Sequence, residues 1–144
     1  MIGAPDGPEP VARAFVDAVA WAEHTRVWEL LSASARLAVL GVAGRRGMDP
    51  LLAARLREGT AGDGERDEFL ADLLQGIRVD LRGIDLGTVR CVEVDPSAGP
   101  EGSAVVTLLE DVAPAMGGPV PVGTVELVVE PGGRWAVARV RGRA

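Results

Sequence analysis

The chain predicts an α+β domain: N-terminal helices packed on a curved, mainly antiparallel C-terminal sheet of about four to five strands. Three observations carry this. Apolar residues recur at helical spacing through the first half. From Gly102 onward the period falls to two, giving three strand-like runs at about Ser103–Val112, Val120–Glu130 and Arg134–Val140. The Pro131-Gly132-Gly133 turn joins the last two as a hairpin. Helices followed by an antiparallel meander place the helices on one face of the sheet.

Residues 1–8, rich in Pro and Gly, read as a loose lead-in, and 9–144 as a single domain. Glu9-Pro10 opens a first helix, since Pro in the first turn forfeits an N–H that had no partner there. Val11, Phe15, Ala18, Val19 and Ala22 form its apolar stripe, while Arg13, Asp17, Ala20 and His24 lie on a solvated line, with Trp21 between the two. Thr25 is placed to cap a short second helix carrying Val27, Trp28, Leu30 and Leu31. Ser32-Ala33-Ser34 then caps a third, Ala35–Val42, followed by a loop over Gly41–Gly47. Asp49-Pro50 pairs a capping carboxylate with Pro at the first helical position and starts a fourth helix, ending near Arg57 before Gly59. Asp63 caps a fifth, with Glu65, Asp67 and Glu68 in or near the turn where the helix dipole favours negative charge. Phe69, Leu70, Leu73 and Leu74 form its apolar face and Gly76 its stop. Ile77–Arg82 then alternates as a strand would, and Thr88–Asp95 is a second such run, separated from the meander by a hairpin loop at Pro96–Gly102.

Composition narrows the function. With 47% apolar and 25% charged residues the chain is globular. A net charge of −6 argues against nucleic acid, whose phosphates need a basic face. No run approaches a membrane span, and no secretory leader is visible at the first residues, so the expected location is cytoplasmic. All 15 basic residues are Arg, which with the abundance of Ala, Gly and Val suggests a GC-rich bacterial genome. The lone Cys91 lies in an apolar strand pattern and reads as a small buried hydrophobe. No metal-ligand cluster, phosphate loop or nucleophile motif is present, and no cofactor is expected.

Phe15-x-x-Ala18 on an N-terminal amphipathic helix, then Trp28-Glu29-Leu30-Leu31-Ser32, then C-terminal strands, resembles the NTF2-like superfamily (the SnoaL-like, cystatin-like α+β cone). The sequence departs from that pattern at residues 33–58, which read as helical where the family often has a β-hairpin. The resemblance implies a pocket between helices and sheet and a homodimer through the sheet's other face. It leaves the activity open, because the superfamily includes isomerases, dehydratases, hydrolases, ligand carriers and non-catalytic interaction modules.

The leading expectation is a small apolar organic ligand in that pocket. Trp21, Trp28, Met116 and Trp135 are the candidate ligand-binding residues, although Trp in such places is also ordinary core. The alternative is an enzyme using His24, the only imidazole, with Asp17, Glu110 or Glu126. Asp80 is a further carboxylate of this kind. Glu110 and Glu126 interrupt apolar strand faces, where a dry environment would raise a carboxylate pKa; a solvated face explains them as well. The loop Ala113–Pro121 covers a pocket or simply connects strands. A third class, a protein-interaction module, would use Arg134, Arg139, Arg141 and Arg143; a charged, solvated edge strand is the plainer account of them.

Overall fold

The computed structural model describes residues 7–94, 101–111 and 117–142. Among these residues five helices, α1 (Pro8–Ala20), α2 (His24–Leu30), α3 (Ala33–Arg45), α4 (Pro50–Glu58) and α5 (Asp63–Asp80), precede four strands, β1 (Arg90–Glu93), β2 (Ser103–Glu110), β3 (Val120–Val129) and β4 (Trp135–Gly142). The strands form one antiparallel sheet in the order β1-β2-β3-β4, so the expected α+β class holds with four strands. Residues 95–100 and 112–116, which include most of the Pro96–Gly102 loop and the first four residues of Ala113–Pro121, lie outside the described residues.

One sheet face carries the core. Val106, Leu108, Val122, Val125, Leu127 and Val137 are buried against Val11, Phe15, Val16 and Val19 of α1. Full burial of one such side chain stabilises the fold by roughly 1.5–3 kcal/mol relative to exposure. A second, smaller cluster of Leu40, Leu56, Phe69 and Leu70 joins α3, α4 and α5 beside the first. The register shifts between Leu108 and Leu109 on β2, and between Glu126 and Leu127 on β3. The second shift leaves Ala138 of β4 unpaired, and a bulge of this kind bends a strand and re-aims its side chains.

Several local signals act as expected. Ser32 Oγ accepts from Ala35 N at 3.0 Å and caps α3. Asp49 Oδ1 accepts from Leu51 N at 3.0 Å and caps α4, with Pro50 behind it. Gly59, at φ 77°, ends α4 in the left-handed conformation that a Cβ would disfavour.

Four expectations are corrected. Thr25 does not cap α2, which begins one residue earlier after Glu23. Gly62, not Asp63, is the N-cap of α5, with Gly62 N donating to Glu65 Oε1 at 3.2 Å. The expected loop at Gly41 is helix as far as Arg45, because Leu40 and Ala43 are drawn into the second core. Finally, Ile77–Asp80 belongs to α5, not to a strand, and the helix runs through Gly76. Leu70, Leu74, Ile77 and Leu81 continue one helical stripe, and both Leu74 and Leu81 are buried. Gly in a helix interior costs about 1 kcal/mol, less than burying that stripe returns.

Candidate functional site

A cleft of about 780 Å³ opens between α3, α5 and β4. Ser32 sets up its first wall twice over. Its side chain starts α3, and its main-chain N–H donates to Val137 O at 2.8 Å, fixing the helix start to the edge of the sheet. From there α3 leads away, presenting Ala35, Ala38, Val39 and Val42 to the gap. These recur at helical spacing and make one aliphatic stripe. The opposite wall is α5, with Leu73, Gly76, Ile77 and Val79; the missing side chain at Gly76 leaves room. The floor is β4, from Val137 to Val140, with Phe15 of α1 beneath.

Arg78 holds the α5 wall in place. Its Nε and Nη2 donate to Val19 O at 3.2 and 3.0 Å, and Nη2 also to Ala20 O at 3.2 Å. These carbonyls end α1 without an N–H donor from four residues on, so a guanidinium suits both their valence and the helix dipole.

The charged residues of the cleft, Arg46, Asp72, Asp80 and Arg139, are all exposed and stand at its rim. Among the described residues none of these four makes a side-chain hydrogen bond or ion pair. The interior is mainly aliphatic, with Phe15, Phe69 and Met48, so it offers burial to an apolar group and presents no buried nucleophile or base. Among the described residues no group of three or more His, Cys, Asp or Glu is placed to hold a metal ion.

A smaller cavity of about 220 Å³ lies beyond the second core, lined by Trp28, Arg36, Leu56 and Phe69 among others. Trp28 meets Phe69 edge-on at 5.5 Å and 84°, and the Arg36 guanidinium sits 5.4 Å from the Trp28 ring centre. Arg36 also donates to Trp28 O and Glu29 O, and Arg134 to Glu29 O at 2.9 Å. Burial first, then the charge of Arg134, lowers the Arg36 pKa from its ordinary value. These arginines close the end of α2 and are occupied in doing so.

The residues singled out by sequence are dispersed. His24 Nε2 pairs with Asp67 Oδ1 across α2 and α5. Asp17 instead holds Arg13 at 2.7 Å. Glu110 Oε1 accepts from Asp85 N at 3.0 Å, and Glu126 lies 3.5 Å from Arg141 on the open face of the sheet. Trp21 is 77% exposed, Trp135 packs against the main core, and Trp28 lines the small cavity. Met116 and Arg143 lie outside the described residues. None of the seven described catalytic and ligand-binding candidates lines the large cleft, whereas Asp80 and Arg139 stand at its rim. The α3 stripe that does line it was legible as helical spacing from Ala35 to Val42; its role was not, because a core helix shows the same stripe.

No known family, characterised protein or solved structure matches this chain.

Proposed function

We propose that this protein is a non-catalytic NTF2-like domain that binds a small apolar organic ligand in the cleft between α3, α5 and β4. The observation that carries the reading is the aliphatic interior of a cleft of about 780 Å³ with its charges confined to the rim. That volume falls within the roughly 300–1,000 Å³ usual for small-molecule sites. A pocket between helices and sheet is also what the family resemblance implies. The pairing of His24 with Asp67 lies away from this cleft and lends it no acid–base group. A second copy would meet the outer sheet face, where Val92, Val94 and Val105 are 40%, 42% and 37% exposed.

Native mass spectrometry of the gently purified chain, beside its denatured mass, reads both points: a dimer mass for the pairing and an added small-molecule mass for the ligand. An anilinonaphthalene sulfonate titration supplies an apolar probe of the cleft. Fluorescence is expected to rise on binding and to fall by about tenfold in apparent affinity in Ala38→Trp, which fills the cleft from an exposed position on α3. A folded Ala38→Trp variant that binds the probe as the parent does would overturn the assignment of the cleft.

A further inference from the structure

We infer that the occupant suited to this cleft is a short extended peptide segment of alternating apolar and acidic residues, added as a strand to the free edge of β4. The inference rests on the cleft being a binding site and replaces the general apolar ligand with a specific chemistry. Among the described strands β4 is the last of the sheet, and β3 is the one strand paired with it. An edge strand presents a row of main-chain donors and acceptors ready to pair with another chain. At its beginning this edge already takes an extended segment: Leu31 makes a parallel bridge with Val137, and Ser32 N donates to Val137 O at 2.8 Å. Beyond that point, among the described residues, no other main-chain hydrogen bond reaches the outer edge of β4. The lane ends at Gly142, where a Cβ would stand 2.1 Å from Asp80 O. What lies between, residues 138–141, is about 13 Å of strand edge left open among the described residues, and its first three residues line the cleft.

The two faces of the lane differ, and this sets the chemistry of the segment. On the inner face Ala38, Val39 and Ile77 wall the cleft, and Val140 faces inward with its register partner Val125, which is fully buried. Every second side chain of an added strand would enter this aliphatic space. On the outer face stand Arg139 and Arg141, in register with Glu126 and Thr124. Arg141 is engaged by Glu126 at 3.5 Å, whereas Arg139 has no acidic partner among the described residues. The intervening side chains of the segment would lie beside these guanidiniums, where opposite charges stabilise a cross-strand pair. Asp72 and Asp80 line the inner side and disfavour acids there, in keeping with apolar residues at those positions. The net charge of −6 opposes approach only weakly, because charges further than about 8 Å are screened at physiological salt.

The test is an amide NMR titration of the full chain with acetyl-Val-Glu-Val-Glu-Val-amide. Lys-for-Glu peptide is the charge control, and two forms N-methylated on alternate residues probe the edge. The acidic peptide is expected to shift and protect the amides of residues 138–141. The Lys peptide should bind about tenfold more weakly. One N-methylated form should lose about tenfold and the other little, since only alternate amides face β4. Arg139→Glu should reverse the preference between the acidic and Lys peptides, and Arg139→Gln should reduce it. Equal binding of both N-methylated forms and the parent peptide would overturn strand addition. Equal binding of the acidic and Lys peptides would overturn the charge assignment. If the fluorescent probe occupies the cleft and no peptide shifts residues 138–141, this inference fails while the cleft remains a ligand site; if neither binds, both readings fall.

Discussion

Arg78→Met tests whether α5 is placed as described, and with it one wall of the cleft. In a strand beginning at Ile77, the alternation seen in the sequence would send Arg78 to solvent. In the helix it reaches across to α1 and makes three contacts of 3.0–3.2 Å with Val19 O and Ala20 O. Ala22 N reaches Val19 O only at 3.4 Å, so the guanidinium is the better donor to that carbonyl. Met preserves most of the aliphatic stem, so the change isolates the polar contacts. Hydrogen bonds involving a charged group contribute about 1.5–3 kcal/mol. The attraction to the dipole of α1 is part of the same contacts and is not added to them. The expected loss is therefore about 2 kcal/mol. For a chain of this length, where 1 kcal/mol corresponds to about 4 °C, Tm should fall by about 8 °C. Arg78→Lys should recover part of the loss, because an ammonium keeps the charge without the planar fork. Circular dichroism at the helical band, with urea unfolding beside it, measures both variants. A folded Met variant within about 2 °C of the parent would refute the capping role and the reasoning from it.

Two further outcomes are expected. Asp49→Ala removes the acceptor for Leu51 N and should lower stability by about 1 kcal/mol, with Asn nearly neutral at the same position; a urea midpoint unchanged in the Ala variant would contradict the cap. Cys91 is pushed above the ordinary thiol range chiefly by burial, with Arg13 opposing and Asp17 and Glu9 reinforcing. Its neutral form is the one the fold favours, so its contribution holds below the unfolded thiol pKa and is lost as pH rises through the higher folded value. Disulfide-exchange labelling should accordingly be slower than for a free thiol at neutral pH and accelerate at alkaline pH; labelling at the free-thiol rate would refute it.

Much of the fold could be read directly from the residues, because the signals act over three or four positions. Ser32 and Asp49 cap the backbone N–H groups just ahead of them, and Pro50 and Gly59 restrict or release φ where α4 begins and ends. The last three strands announce themselves by alternation, and their turn by Pro131-Gly132-Gly133. Local signals misled where a longer-range term outweighed them. Gly76 reads as a stop, yet Leu81 beyond it is buried and Arg78 is held by α1, so the helix continues. Gly41 and Gly44 read as loop, yet the packing of Leu40 and Ala43 on Leu56 and Phe69 carries α3 through them.

The candidate site was less legible than the fold. Residue types that suggest chemistry, such as His24, Asp17, Glu110 and Glu126, are each engaged in separate polar contacts, and no pattern in the chain says that they would be apart. The cleft is built instead from Ala, Val, Ile and Leu, residues whose spacing is the same whether they face a core or a cavity. By itself the sequence determined the class of the domain, the caps at Ser32 and Asp49 and the last three strands, all set by chemistry within a few residues. Only the tertiary structure decided that α3 and α5 stand apart over the edge of β4, because that gap depends on how segments some forty to a hundred residues apart pack against one another.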